Sequence, residues 1–308
     1  MLINITYKMK DKILFSLTAN KKTVGKLSKI LNIPLGKTKI EHFADGEVIC
    51  KTLTPVDGKH VFIIQSTSKP AVTRLFELLL LIDSIKRSGS KKITLVMPYF
   101  GYSRQDVSWN NEPVSCEVIA KIINVSGVDE LITFDLHTPR IHSFFKIPLK
   151  DIATTSLFKE YYEKLFEEKN IKSSNLVIVS PDHGSNERAH LLCEALNASS
   201  SIILEKVRPH PNVSETLFVA GDVKDKICII IDDIIDTGGT IVNASKVLFE
   251  KGAKEIYVAA SHAVFSKDSM NRIKTVNIED IVITDSIEKK YPHGIKVLPI
   301  ADLIKPLI

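Results

Sequence analysis

The run Ile227 to Ala244, ICIIIDDIIDTGGTIVNA, holds the densest set of residues able to do chemistry. Asp232 and Asp233 follow an apolar stretch, and Asp236-Thr237-Gly238-Gly239-Thr240 comes directly after them. Gly238 and Gly239 can take positive φ and let backbone N–H groups approach an anion closely. Thr237 and Thr240 add hydroxyl donors, and the helix that follows offers its positive end to the same spot. The Asp pair can accept hydrogen bonds from sugar hydroxyls beside a phosphate. Helix capping is the plainer alternative, but a cap uses one such residue and not two acids, two threonines and two glycines in register.

These residues need a strand behind them and a helix ahead. Ile227 to Ile231 are all apolar, as in a strand of a parallel sheet buried on both faces. Ile241 to Lys251 runs at helical spacing, Gly252 stops it, and Ile256 to Ala260 begins another apolar strand.

Weaker candidates lie upstream. Residues 11–17 read as a first strand and Lys21 to Leu31 as an amphipathic helix. HFADGEVICKTL, from His42, looks like a turn into a hairpin strand; read alone, Phe43, Asp45, Gly46 and Glu47 are ordinary turn chemistry. His60 to Gln65 is a buried strand, Val72 to Ser88 a helix and Lys92 to Pro98 the next strand. In PYFGYSRQD, the aromatics Tyr99, Phe100 and Tyr102 suit a wall for a purine, and Arg104, before Gln105 and Asp106, suits phosphate charge. A surface loop with an ion pair is the alternative there. A helix spans Val114 to Asn124, and the strand Leu131 to Asp135 puts His137 at a carboxyl end, where ligands of open α/β sheets gather. A lone histidine is more often structural.

Lys150 to Thr155 reads as the crossing into a second domain, before a helix Leu157 to Lys169. The strand Leu176 to Ser180 ends in PDHGSNERA, with Asp182 and Gly184 in the turn and Arg188 on the next helix. After a strand Ser201 to Glu205, Pro209 and Pro211 keep EKVRPHPNVSE out of regular structure. Lys206 and Arg208 there are a cationic flap over a phosphate, or a solvated connection. Ile281 to Thr284 and Ile295 to Leu298 are short late strands, and Leu303 to Ile308 is a brief tail.

Composition narrows the field. A chain of 308 residues suggests two domains, and 44% apolar with 25% charged residues is ordinary for a globular protein. The net charge of +5 is spread out, with no basic tract for nucleic acid. No apolar run reaches the ~20 residues of a membrane span, and the start lacks a signal peptide's apolar core. Four cysteines far apart read as reduced core residues of a cytosolic protein.

FADGE, VFIIQSTS, MPYFGYSRQD, DLHTPRIHSFF, SPDHGSNERA, EKVRPHPN and IDDIIDTGGT stand in the order of the motifs of ribose-phosphate pyrophosphokinase (PRPP synthetase), and the chain resembles that family from about Phe15 to Ala301. The resemblance implies an α/β fold of two similar domains, residues 1–149 on the ATP side and 150–308 binding ribose phosphate, each a mostly parallel sheet flanked by helices. The last ~15 residues are expected to pack back on the first domain. It implies transfer of the β,γ-pyrophosphoryl group of ATP to the anomeric hydroxyl of ribose 5-phosphate, with Mg²⁺, in a cytoplasmic homo-oligomer built from dimers as a tetramer or hexamer. By similarity, Asp236, Thr237, Gly238, Gly239 and Thr240 hold the 5-phosphate, and Asp232 and Asp233 the ring hydroxyls. Arg104, Gln105 and Asp106 face ATP, and Phe43, Asp45 and Glu47 receive adenine from a neighbouring subunit. His137 and Asp182 lie at the Mg²⁺–triphosphate, and Lys206 and Arg208 form the catalytic flap.

The chain departs from the family pattern in places. Val107-Ser108-Trp109 replaces basic residues, Val207 interrupts the flap's basic triplet, and Asp182-His183-Gly184-Ser185 is less glycine-rich. Ending at LIKPLI, it lacks the serine-rich tail of allosteric members, so weak or absent ADP regulation is expected. A non-catalytic, synthetase-associated subunit is the alternative; the retained Lys206, Arg208, Asp232, Asp233 and DTGGT speak against it. A phosphoribosyltransferase would supply only the last motif.

Overall fold

A computed structural model of the chain describes residues 11–207 and 216–308, with backbone alone at 206, 207 and 216. Two compact units emerge. One comprises residues up to Ile152 with Asp285–Glu288 and Pro299–Ile308, the other Ala153–Thr284 with Lys289–Leu298.

The first unit is built on a parallel sheet in the order β1-β4-β5-β6-β7, where β1 is Lys12–Ser16, β4 His60–Ile64, β5 Lys92–Met97, β6 Glu130–Phe134 and β7 Leu149–Ile152. Helices α1 (Lys21–Leu31), α2 (Ala71–Arg87) and α3 (Ser115–Ser126) make the connections, and β2 (Thr38–His42) pairs with β3 (Val48–Thr52) as a separate hairpin. Parallel strands need such crossovers, and the apolar runs of β4 and β5 are buried as that requires. Leu75, Leu78, Ile82 and Ile85 of α2 point into this core. The returning segments are hydrogen-bonded within the unit. The Ser286 carbonyl accepts from Asn20 Nδ2 at 3.2 Å and Ser66 Oγ at 2.6 Å, and Asp285 accepts from the Ile300 N–H at 2.6 Å.

The second unit carries seven strands in the order β10-β9-β8-β11-β12-β13-β14. These are β8 (Leu176–Ser180), β9 (Ser200–Val207), β10 (Thr216–Val219), β11 (Ile227–Ile235), β12 (Glu255–Ala263), β13 (Asp280–Thr284) and β14 (Ile295–Leu298); all pairings are parallel except β9 with β10. Helices α4 (Thr155–Glu168), α5 (Asn186–Leu196), α6 (Gly239–Glu250) and the short α7 (Ser269–Ile273) belong here. Ile227 to Ile231 are at most 3% exposed, as the unbroken apolar run requires.

Three expectations are refined. Leu149–Ile152 form the fifth strand of the first sheet, so within the stretch Lys150 to Thr155 the crossing comes after Ile152; pairing beside β6 gives the strand's backbone groups ladder partners. Glu205 to Val207 continue β9, where Lys206 stands opposite Leu217 of a β10 that local sequence did not reveal. Regular structure thus runs further into this segment than its prolines suggested. The tail also has structure, as α8 (Ala301–Ile304) and a 3₁₀ turn.

Candidate active site

In the second unit the chain moves from β8 through α5 to β9 on one side, and from β11 through α6 to β12 on the other. The strand order therefore reverses between β8 and β11, and the loops beyond their carboxyl ends flank a crevice where open α/β sheets bind ligands. Pairing of β11 with β8 stops at Ile230 opposite Val179, whereas its ladder with β12 continues to Ala263. Asp232 and Asp233 lie past the last partner on β8. They stand within β11, near its end, and not after it.

Both carboxylates are buried, at 8% and 3% exposure. The Ser185 hydroxyl, in the loop after β8, donates to Asp232 Oδ1 at 2.7 Å, and the Asp233 N–H donates to the same oxygen at 2.9 Å. Burial raises the Asp232 pKa well above the ordinary carboxylate range; Asp233 and Asp182 push in the same direction, opposed by the Ser185 bond. Carboxylates so placed favour a hydroxyl donor or a cation. Asp182 closes its own turn, accepting from the Gly184 N–H at 2.9 Å, and Arg188 donates to the Gly184 carbonyl at 3.0 Å.

The loop Asp236–Thr240 leaves β11 and enters α6. Gly238 has φ 78° and directly precedes the helix; a Cβ there would lie 2.8 Å from Ile273 Cγ1. Gly239 opens α6 with no positive φ, and a Cβ on it would meet only ordinary contacts. Thr237 and Thr240 are exposed, so the loop presents its hydroxyls and the first N–H groups of a 12-residue helix to solvent.

In the first unit, loops at the carboxyl ends of β5 and β6 carry the other candidates. Arg104 and Gln105 are exposed, but Gln105 is engaged: its side-chain oxygen accepts from Ser115 Oγ at 2.5 Å and its carbonyl from the Cys116 N–H at 3.1 Å, anchoring the start of α3. Asp106 is buried and accepts from Thr138 Oγ1 at 2.5 Å, tying its loop to the one holding His137. The aromatic wall is corrected: Tyr99 and Phe100 are buried at 7% and 2%, and Phe100 meets Phe145 edge-on at 5.8 Å. Burial of their apolar area won over exposure to a ligand. Phe43 is 50% exposed at the tip of the β2–β3 hairpin, where Asp45 accepts from the Glu47 N–H at 3.0 Å.

No cluster of three or more metal-binding side chains exists among the described residues, so His137 and Asp182 belong to no ready cage. Lys206 is described by its backbone only, and Arg208 lies outside the described residues. Ser185 and Thr138, which hold Asp232 and Asp106, were not singled out from sequence; a serine or threonine in a polar turn carries no signal of its partner.

Comparison with known proteins is decisive. A model of the N-terminal domain of ribose phosphate pyrophosphokinase matches residues 12–127, and one of the phosphoribosyl synthetase-associated domain matches 197–307. Ribose-phosphate pyrophosphokinase 1 of Listeria monocytogenes is 41% identical over 295 residues, 94% of this chain and 91% of its own length. The chain belongs to the ribose-phosphate pyrophosphokinase family. A further member, from Fusobacterium nucleatum, is 40% identical over 93% of this chain and 90% of its own. The crystal structure of phosphoribosylpyrophosphate synthetase from Mycobacterium smegmatis superposes with a TM-score of 0.87 at 31% identity, covering 97% of each chain. The fold is therefore that of PRPP synthetase, α/β with parallel sheets flanked by helices. The chain is an enzyme of the transferase class with ribose-phosphate diphosphokinase activity.

Proposed function

We propose that the chain carries out this activity by holding ribose 5-phosphate at the switch point of the second unit and ATP from the loops of the first, in the cytoplasm. The observation that carries the reading is the pairing of a phosphate loop, Asp236–Thr240, with two buried carboxylates, Asp232 and Asp233, on one strand end. Backbone N–H groups of the loop bind the 5-phosphate, and the carboxylates accept from the ring hydroxyls and orient the anomeric one. That hydroxyl attacks the β-phosphorus of ATP, AMP leaves, and 5-phosphoribosyl 1-diphosphate forms. Positioning and charge neutralisation dominate such transfers. Arg104 and the flap residues Lys206 and Arg208 supply positive charge, and His137 serves the Mg²⁺–triphosphate.

The donor set fits Mg²⁺. Carboxylate oxygens are hard ligands, and this ion is commonly held by one or two carboxylates, water and substrate phosphates, which agrees with the absence of a side-chain cage among the described residues. Asp182 and His137, which the family resemblance puts at the metal, are the side chains that would hold it, and the ion would supply charge neutralisation for the phosphates. In a homo-oligomer, Phe43, Asp45 and Glu47 at the hairpin tip serve the adenine site of a neighbouring copy. The exposed apolar residues Ile49, Leu53, Val72 and Phe76 of the first unit support such an assembly.

The test is to supply ATP, ribose 5-phosphate and Mg²⁺ to the purified chain and follow AMP against ADP, with Lys206→Ala as control. Sugar-dependent AMP matched by 5-phosphoribosyl 1-diphosphate, and lost in the variant, is expected. ADP instead would mean single phosphoryl transfer. No turnover with the sugar phosphate still bound would indicate a non-catalytic, synthetase-associated subunit.

A further inference from the structure

The structure points to Arg272 as a ligand of the sugar's 5-phosphate, an arm brought to the loop Asp236–Thr240 by α7; this rests on the phosphate-loop reading above. The geometry centres on Gly239. A Cβ built there would stand 3.5 Å from Arg272 Nη1 and 3.8 Å from Thr237 Oγ1. Two donors thus border the same small space beside the first residue of α6. Gly239 needs no unusual backbone angle, and a methyl group would fit in ordinary contact, so packing does not call for glycine. An anion filling that space does.

The arm is held in register with the loop. The N–H groups of Val264 and Phe265 donate to the Ile235 carbonyl at 2.9 and 3.1 Å, and that of Ser266 to the Asp236 carbonyl at 3.1 Å. Ile273, next to Arg272, is buried at 2% and faces Gly238, whose missing Cβ lets the two elements approach. The Arg272 N–H donates to the Asp268 carbonyl at 3.0 Å, placing the residue on the last turn of α7. Its base is therefore fixed relative to the loop.

The guanidinium is also available. Arg272 makes no side-chain hydrogen bond, ion pair or ring contact among the described residues, and it is exposed. The one carboxylate on the loop itself, Asp236, lies within electrostatic reach of another cation. Lys289 feels the charge of Asp236, and its ammonium donates to the Val264 carbonyl. Arg272 is thus left to meet a dianion through its planar fork, the geometry that suits phosphate oxygens.

The test is steady-state kinetics of Arg272→Ala, Arg272→Lys and Thr240→Ala, with calorimetric binding of ribose 5-phosphate and thermal melting of each. Arg272→Ala is expected to raise KM for ribose 5-phosphate about tenfold or more, the scale of one charge-assisted contact. KM for ATP, kcat and Tm should stay near the parent values, with Arg272→Lys recovering part of the loss. A rise in Thr240→Ala alone would leave the phosphate loop standing and overturn the role of Arg272. No change in either variant would overturn the loop reading and this inference together. A fall in Tm with both KM values raised would assign Arg272 to packing and also overturn it.

Discussion

Adjacent glycines in the phosphate loop make opposite predictions. Gly238 has φ 78°, and a Cβ on it would come 2.8 Å from Ile273 Cγ1 and 3.2 Å from the Ser269 carbonyl oxygen. An alanine there meets a left-handed penalty of about 1–2 kcal/mol and an overpacking cost of about 1–3 kcal/mol against a buried isoleucine. A combined loss of roughly 2–5 kcal/mol corresponds to a Tm lower by roughly 4–20 °C for a unit of this size. Gly239 differs in having no positive φ, and its nearest neighbours would be at 3.5 and 3.8 Å. Gly239→Ala should leave stability unchanged or raise it by up to about 1 kcal/mol, since alanine is the better helix former. The same methyl would intrude on the space proposed for the phosphate. Weakening one hydrogen bond to a charged group costs about 1.5–3 kcal/mol, so KM for ribose 5-phosphate should rise roughly 10- to 150-fold. Thermal melting and kinetics of the two variants side by side make the assay. A Gly239→Ala enzyme that melts normally and keeps its KM would refute the placement of the phosphate. One that fails to fold would refute the backbone argument.

Asp232→Asn should be more stable than the parent at neutral pH and much less active, because the amide still accepts from Ser185 but carries no buried charge. The folded-state pKa of Asp232 is raised, so the parent loses stability as pH rises above the ordinary aspartate range, and the gap between the two should close on acidification. Glu130 is the opposite case. Burial pushes its pKa up, but hydrogen bonds from Lys150 and Lys92, at 2.6 and 2.8 Å, outweigh this and hold it at about 2. Its stabilisation is present above pH ~4.5 and lost as pH falls toward 2. Glu130→Gln should cost on the order of 1–3 kcal/mol at pH 7, allowing for the exposed lysines, and the penalty should vanish across that window in denaturation series. Phe43→Ala, at a half-exposed hairpin tip, should raise KM for ATP without lowering Tm; an unchanged KM would remove that tip from the nucleotide site.

Much of this protein follows from local sequence. Periodicity placed helices α1, α2 and α4 and strands β8, β13 and β14 within a residue or two, because each buries a face whose spacing shows in the chain. The loop Asp236–Thr240 was legible because its chemistry lies within five consecutive residues, and the order of the motifs marked the family. Tertiary structure decided what depends on distant partners. That β7 joins the first sheet and β10 folds back on β9 are matters of backbone hydrogen bonding between segments, to which prolines and short apolar runs are blind. Phe100 turned into the core of the first unit and Tyr99 is buried beside it, and side-chain direction in a loop has no period to read. Ser185 reaches Asp232 only because β8 and β11 are neighbours at the point where the strand order reverses. Arg272 comes to Gly239 only because the turn after β12 is laced to the end of β11. Contacts between residues 30 or more positions apart leave no mark on either segment alone, and they are what turn a recognisable loop into a site.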